Sequence, residues 1–426
     1  MTNNMKNVFD SSNTYGMAKT FVLISLYALL IAIGMHKGVK IFLYIAGISG
    51  ALLLTYEWFK MDRPSIPTFF IAPLLFLIYV LISPGTFLID ARLAGRFACA
   101  LFAGVALQFF FSNATYKVLL SQCAALLTTL FLGVTYACIW APEMFDDRLI
   151  LSYRNPHQLA VAGAFSIFTL FTYLSIFSKK KQLLVYCLFV IIGTAIFMTV
   201  SRSTSLGLLC AFAAYILFYR SKHLIKIVVA AGLLGLIAFS ILPATQQQRL
   251  IDPFTAPLND RTIKQRVGIW YTALQGFDEA PILGHGLRAY SDYDSDYKEA
   301  HRAEMVDKNI LIIDSRWAHP HSLYLGSLFG WGIVGTLLLI GAFIPAFRHS
   351  SGRIKTFLFL MTFFSLGYGL TELRIKSDDG AFILFFPLGL AYGSILFEHL
   401  SQKNKTTSEY PIQTKPCITK ILTLLN

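Results

Sequence analysis

The sequence predicts an all-α integral membrane protein, with about twelve transmembrane helices and one long polar segment on the outer side of the membrane. Hydrophobic residues make up 55% of the 426 residues and charged residues only 14%, against roughly 25% charged in a soluble domain. Apolar runs of about twenty residues recur along the chain, and they do not alternate as the strands of a membrane β-barrel would. One stretch, 244–320, interrupts them with arginines, acids and aromatic residues.

The predicted spans follow one another through short loops, apart from the long polar segment that comes after the ninth of them. The apolar run that begins near Ala18 lacks a convincing small-residue cleavage site, so we expect a retained first helix rather than a signal peptide. By hydropathy the spans cover 18–35, 39–58, 67–83, 94–112, 117–140, 157–177, 182–200, 204–220, 224–242, 322–346, 355–371 and 380–398.

Lysine and arginine in the short loops favour an orientation with both chain ends inside. This orientation divides the chain into helices one to nine (1–243), an outer loop that contains helices (244–320), helices ten to twelve (321–400) and an inner tail (401–426). Much of the net charge of +13 lies in the short loops between spans, which argues against a nucleic-acid partner and for contact with membrane lipids.

No pattern in the sequence indicates a metal or a nucleotide site. The six cysteines form no CxxC pair and five of them fall in predicted spans, so we interpret them as packing residues. The chain has no HExxH motif, no P-loop and no GxGxxG motif. We therefore expect neither a cofactor nor a bound metal, and transport driven by nucleotide hydrolysis is disfavoured.

Arginines are common in the predicted outer loops. Arg202 stands in a very short link between the seventh and eighth spans, among small hydroxyl residues. Its guanidinium could reach lipid headgroups, or it could line a ligand site with these hydroxyls, and the residues alone leave both interpretations open. Arg92 and Arg96, near the start of the fourth span, carry the same two alternatives.

Within the outer loop, 262–277 has the periodicity of an amphipathic helix. Arg266 lies at the edge of its apolar stripe, where the side chain can point along the membrane surface. A glycine-rich turn follows at 281–286. The acidic, tyrosine-rich stretch 290–299 is interpreted as a loop that is either mobile or in contact with sugar. The stripe itself consists of Ile263, Val267, Trp270, Leu274 and Phe277.

Two histidines, His319 and His321, flank a proline where the polar segment returns to apolar sequence. A neutral imidazole can take a proton from a hydroxyl, and arginines can neutralise a departing pyrophosphate as a metal ion does elsewhere. This combination suits transfer of a group from a lipid pyrophosphate to an alcohol. Other polar side chains receive structural interpretations: His157 as a helix-end residue, and Glu372 as a partner of Arg374.

Four short motifs occur here in the order in which a known family has them. They are Ser201-Arg202 at the end of a span, Arg266-x-x-x-Trp270, Leu283-Gly284-His285-Gly286-Leu287, and His319-x-His321-Ser322-x-x-Leu325 with a glycine-rich turn after it. In these motifs the chain resembles the O-antigen ligase and Wzy polymerase superfamily, and most closely the lipopolysaccharide O-antigen ligases. The motifs cover 150–345, and the topology is similar over the whole chain.

This resemblance implies a membrane glycosyltransferase of the GT-C class. Such an enzyme moves a preassembled O-polysaccharide from undecaprenyl pyrophosphate to a sugar hydroxyl of the lipid A-core. The reaction would take place at the periplasmic face of the Gram-negative inner membrane, with inversion of the anomeric carbon and without metal or ATP.

Carried over by position, the resemblance assigns His321 as the base that activates the acceptor hydroxyl, with His319 in support. Ser322 stands where the family more often has Asn, and we expect its hydroxyl to serve. The residues expected to bind the donor pyrophosphate are Arg202 and Arg266, helped by Arg96 or Arg92.

Two other functions compete with this interpretation. An O-antigen polymerase of the same superfamily would share the donor chemistry and differ only in its acceptor. A multi-span transporter or flippase would need paired charges within its spans or inverted repeats, and the sequence shows neither clearly.

Overall fold

The structure is a computed structural model that describes 12–35, 38–60, 67–83, 87–140, 156–220, 261–312, 319–372 and 377–406, with a few isolated residues between 232 and 255. Within these residues all regular secondary structure is helical and no strand occurs, so the predicted all-α class is confirmed. In chain order the helices are α1 (Ser12–Met35), α2 (Val39–Lys60), α3 (Ile71–Ile82), α4 (Phe87–Phe110), α5 (Thr115–Trp140), α6 (Pro156–Tyr173), α7 (Lys179–Met198), α8 (Arg202–Tyr219), α9 (Arg261–Glu279), α10 (Tyr290–Ala300), α11 (Arg302–Asp307), α12 (Leu323–His349), α13 (Gly352–Gly369) and α14 (Asp378–Thr406).

Nine helices in the described part of the chain are long and apolar enough to cross a membrane, and each coincides with a predicted span. They are α1, α2, α4 to α8, α12 and α14, and they make this a multi-pass membrane protein. Of the other three predicted spans, 67–83 contains the shorter apolar helix α3 and 355–371 falls largely in α13. Most of 224–242 lies outside the described residues. At the C-terminal end α14 continues to Thr406, past the boundary predicted at residue 401.

The most extensive contact between two helices joins α4 and α14, and glycine makes it possible. A Cβ on Gly389 would lie 2.1 Å from the carbonyl oxygen of Leu101, and a Cβ on Gly104 would lie 2.3 Å from that of Phe386. The two backbones therefore touch directly, as small residues allow between membrane helices. We call this contact the α4–α14 seam.

One end of the bundle collects the first turns of α6, α8 and α12 together with the residues that follow α13. Helix α13 packs along both α8 and α6. The Thr371 hydroxyl, just after α13, donates to Oγ of Ser203 in α8 at 2.8 Å. A Cβ on Gly369 would meet the Cβ of Leu323, the first residue of α12, at 2.6 Å. We call this region the polar end, because it carries most of the residues that the sequence analysis singled out.

Helix α12 is broken at Gly332, whose φ of 60° and ψ of −163° are not helical. The glycine-rich turn at 281–286 fills this break, and the backbone N–H of Gly286 donates to the Gly330 carbonyl at 2.8 Å. A glycine can adopt this positive φ without strain. The turn, which follows α9, therefore attaches α9 to α12, the helix that begins two residues after His321.

Helix α9 confirms the predicted amphipathic helix, but it does not bury the predicted stripe. Its buried face consists of Gly268, Ile269, Thr272, Ala273 and Gly276, and two of these, Ile269 and Ala273, lie in one cluster with Phe329 of α12. A Cβ on Gly276 would lie 2.4 Å from the ring of Phe329, so glycine allows α9 to approach α12 closely. Val267 and Leu274 of the predicted stripe lie outside this buried face and are 44% and 43% exposed. The periodicity gave the helix correctly, while the packing face depends on the partner helix.

The stretch 290–299 forms the helix α10, so the prediction of a loop was wrong. Asp294 is fully buried, where it accepts hydrogen bonds from Thr272 at 2.7 Å and from Lys298 at 2.7 Å. Asp294 and Lys298 are four residues apart and therefore share one face of the helix. Their charges compensate each other inside the packed α9–α10 pair.

Candidate active site

His321 lies in the residues that turn the chain into α12. The helix begins at Leu323, and Ser322 is its N-cap, whose hydroxyl accepts from the Leu325 N–H at 3.4 Å. His321 itself has a φ of 52°, the left-handed region that non-glycine residues adopt rarely and at some cost. Strain of this kind is held by the surrounding structure, and here it fixes the direction of the imidazole.

His319 supports this turn. Its Nδ1 accepts a hydrogen bond from the backbone N–H of His321 at 3.3 Å, and the two rings meet edge to face with their centroids 4.1 Å apart. The proline between them, Pro320, is buried. The geometry therefore gives His319 contacts that orient the chain at His321.

Glu372 is the residue on which the site converges. Its Oε2 accepts from Nη2 of Arg266 at 3.1 Å and contacts Nδ1 of His321 at 3.3 Å. Its side chain is only 4% exposed. The partner predicted for Glu372, Arg374, lies outside the described residues. Within them the carboxylate binds Arg266 and His321, which belong to two separate sequence motifs.

The charge of Glu372 is fixed by this surrounding. Burial raises the pKa of its carboxyl, but the hydrogen bond from His321 and the positive charges of His157 and Arg266 outweigh burial and lower the pKa to about 2. The carboxyl is therefore ionised at neutral pH and can only accept hydrogen bonds. Nδ1 of His321 must then carry a hydrogen, which leaves the lone pair of the neutral ring on Nε2.

Arg202 is the first residue of α8 and therefore lies at the polar end. The tight turn that the sequence predicted is present: α7 ends at Met198, and Val200 has a φ of 50°. The bond from Thr371 to Ser203 ties the first turn of α8 to the residue next to Glu372. The structure thus brings Arg202 to the polar end with Arg266 and His321.

His157, in the first turn of α6, also reaches the polar end. Its Nδ1 lies 2.8 Å from Oγ of Ser201, and this hydroxyl lies 2.9 Å from Oγ1 of Thr204. Its charge lowers the pKa of Glu372. His157 is therefore more than the helix-end residue that the sequence analysis made of it.

Arg96 pairs with a different carboxylate. Its Nε lies 2.8 Å from Oδ1 of Asp378, the first residue of α14. Arg92, its alternative in the sequence analysis, has an exposed side chain, while its backbone carbonyl accepts from the hydroxyl of Tyr44 at 3.3 Å.

No group of three or more His, Cys, Asp or Glu side chains is placed to hold a metal ion in the described part of the chain. The polar end instead contains the guanidinium of Arg266, the buried carboxylate of Glu372, and two histidines, His157 and His321, that contact a hydroxyl and this carboxylate. Such a set can bind an anion and move a proton.

Comparison with known proteins shows similarity to one family. Residues 187–340 match the family model described as O-antigen ligase, and this range holds Arg202, Arg266, His319 and His321. The resemblance to the O-antigen ligase superfamily is confirmed. A 211-residue part of the chain is also 29% identical to a protein of Pseudomonas aeruginosa described as O-antigen ligase. That match covers 47% of this chain and 45% of the relative, so it spans about half the length of the relative.

Two residues of the site, Glu372 and His157, received only structural interpretations from the sequence. Glu372 is 106 residues from Arg266 and 51 from His321 along the chain. The available signal was an acid directly after an apolar run, which is rare enough to mark a functional position. His157 gave a similar signal, a histidine directly after a proline at the start of an apolar run.

Proposed function

We propose that this chain is an O-antigen ligase, a membrane glycosyltransferase of the GT-C class. It would move preassembled O-polysaccharide from undecaprenyl pyrophosphate to a sugar hydroxyl of the lipid A-core. The observation that carries the proposal is the shared carboxylate of Glu372, which joins a potential base, His321, to a guanidinium suited to phosphate, that of Arg266. The similarity of 187–340 to O-antigen ligases supports the same assignment.

In the proposed reaction the acceptor hydroxyl gives its proton to Nε2 of His321. The acceptor oxygen forms a bond to the anomeric carbon of the donor sugar. The bond between that carbon and the pyrophosphate oxygen breaks, and its electron pair stays on the oxygen. Attack from the side opposite to the leaving group inverts the anomeric carbon. Glu372 keeps His321 in the required tautomer and stabilises the imidazolium that forms.

Arg266 and Arg202 neutralise the charge that develops on the departing pyrophosphate. A guanidinium has five N–H donors, so Arg266 can keep one bond to Glu372 and offer others to phosphate oxygens. Arg96 is the third arginine proposed for the donor side, and His319 supports the base. The proposal assigns no step to a metal ion or to a nucleotide.

The proposed location is the inner membrane of a Gram-negative bacterium, with the polar end facing the periplasm. The bias of lysine and arginine towards the other side supports this orientation. The lipid tail of the donor would remain in the bilayer while its pyrophosphate reaches the polar end.

The direct test is a transfer reaction with the purified chain in detergent, lipid-linked O-polysaccharide and lipid A-core, without ATP or added metal. We expect the core to gain polysaccharide, seen as a ladder on a lipopolysaccharide gel. Complete absence of product from folded protein, with donor and acceptor that a known ligase joins, contradicts the proposal.

A strain that lacks this chain separates the ligase from the polymerase of the same superfamily. We expect bare core, with long polymer accumulating on the lipid carrier. Core that carries a single repeat unit identifies a polymerase instead. An unchanged lipopolysaccharide profile favours a transporter of some other substrate.

A further inference from the structure

We infer, on the basis of the proposed function, that His157 is a positioning residue for the donor side of the site. It holds Ser201, and through Ser201 it fixes the place from which Arg202 reaches the donor diphosphate. The residue lies on α6, a helix that contributes no other member of the proposed site.

The first step in the argument is the unusual bonding of Ser201. A serine at this N-cap position normally accepts a hydrogen bond from a backbone N–H in the first turn of the helix. Ser201 makes no such bond. Its hydroxyl instead lies 2.8 Å from Nδ1 of His157 and 2.9 Å from Oγ1 of Thr204, and the residue is only 2% exposed. The hydroxyl therefore serves as a link between α6 and α8.

The second step is the placement of Arg202 between two such links. On one side Ser201 is held by His157 of α6; on the other Ser203 is held by Thr371, which follows α13. The direction in which the guanidinium leaves the helix is thus set by the positions of α6 and α13, and not by α8 alone.

The third step is the strain in the turn before Arg202. Val200 has a φ of 50°, and a β-branched residue rarely adopts this left-handed conformation. Such a conformation persists where the surrounding structure holds it. Without the bond to His157 the turn is free to relax, and Arg202 moves with it. Displacement of a positioning group by about 1 Å can cost on the order of 100-fold in rate.

His157 also acts electrostatically on the shared carboxylate of Glu372. Its positive charge, when it is protonated, is one of the influences that keep Glu372 ionised. His157 is thus within the electrostatic reach of the group that binds Arg266 and His321. A helix-end residue that met only water would not bond to Ser201.

The experiment compares His157→Asn with His157→Gln. The asparagine amide reaches about as far as Nδ1 of histidine and can keep the bond to Ser201, whereas the glutamine amide reaches the position of Nε2 and cannot. Both variants are uncharged, polar and of similar size. His349→Asn, exposed in the last turn of α12, is the matched control.

The readouts are the Kd for undecaprenyl pyrophosphate in nanodiscs and the KM values for donor and acceptor in the transfer reaction. We expect His157→Gln to raise the donor Kd and KM about tenfold, as loss of one hydrogen bond predicts. The acceptor KM should stay within about twofold of the unaltered chain, and His157→Asn within about threefold on every constant. Equal constants for the Asn and Gln variants overturn the inference, whether both are normal or both are impaired.

A Ser201→Ala background gives an independent check. If His157 acts through Ser201, His157→Gln should change the donor Kd less than about twofold there. A full tenfold change in that background shows another route and overturns the inference. Because the Kd measurement needs no turnover, a chain that binds donor but transfers nothing contradicts the proposed function without touching the role of His157.

Discussion

The α4–α14 seam and the polar end are held together by different interactions. At the seam, glycines let two backbones touch, and a single added methyl group would overlap the carbonyl oxygen of Leu101. At the polar end, the buried carboxylate of Glu372 is held by directional contacts with Arg266 and His321 and by their compensating charge. The comparison teaches that volume decides stability in one region, while charge and hydrogen-bond geometry decide chemistry in the other.

The largest expected effect belongs to the polar end. His321→Ala should lower transfer on the order of 1,000-fold, because a general base contributes on the order of 10²–10⁴-fold. The melting temperature should stay close to that of the unaltered chain, since the imidazole is not part of the apolar core. Transfer by purified protein and thermal unfolding in detergent measure the two quantities.

His349→Ala, an exposed histidine in the last turn of α12, is the control for that variant and should leave both quantities unchanged. Near-normal transfer by His321→Ala removes the base assignment. A large fall in the melting temperature of His321→Ala would show that His321 also contributes to stability, which contradicts the contrast between the two regions.

Arg266→Lys should come next, with transfer lowered on the order of 10–100-fold. Lysine keeps the positive charge but loses the planar fork that can hold Glu372 and a phosphate oxygen together. The donor KM and kcat of the purified variant measure this effect. Lys264→Arg, on the same helix α9, is a control for the exchange of the two cations. Equal rates for the Lys variant and the unaltered chain would show that charge alone suffices.

At the seam, Gly389→Ala should lower stability by about 1–3 kcal/mol, the usual cost of overpacking. The new Cβ would stand 2.1 Å from the Leu101 carbonyl oxygen. The yield of monodisperse protein and its melting temperature should both fall, while the remaining folded protein keeps its specific activity. Gly341→Ala is the control, because a Cβ there meets nothing within 4 Å. Equal stability of these two variants contradicts the account of the seam.

The smallest effect is a pH dependence of stability. The pKa of Glu372 is lowered from 4.5 to about 2 on folding, so its ionised form stabilises the fold above about pH 4.5 and this contribution is lost as the pH falls towards 2. The unaltered chain should therefore unfold at temperatures a few degrees above those of Glu372→Gln at pH 6, with the gap closing between pH 4.5 and 2. A gap that stays constant over this range speaks against the charge of Glu372 as its cause.

Several features of the fold and the site followed from local sequence. Within the described residues, nine helices that could cross a membrane were predicted from apolar runs and α9 from its periodicity, while His321 and Arg266 were selected by short motifs. Each of these signals depends on residues close together in the chain.

The parts that the sequence did not predict depend on tertiary contacts. The bond between Glu372 and Arg266 joins residues 106 positions apart, and the sequence around one residue does not indicate that the other is its partner. The helix α10 was not predicted, for a related reason. Its acids and tyrosines suggest a solvated loop until Asp294 is seen to be buried against Thr272 of α9.

The central claim is that one ionised carboxylate, that of Glu372, organises both the base and the donor-binding arginine. The most direct test is the transfer rate of purified Glu372→Gln between pH 6 and 9, beside the unaltered chain at matched folded fraction. The account predicts a plateau lower by on the order of 10²–10⁴-fold, because the neutral amide no longer fixes the tautomer of His321 or stabilises its imidazolium. A plateau within twofold of the unaltered chain, with the same pH midpoint, would contradict it.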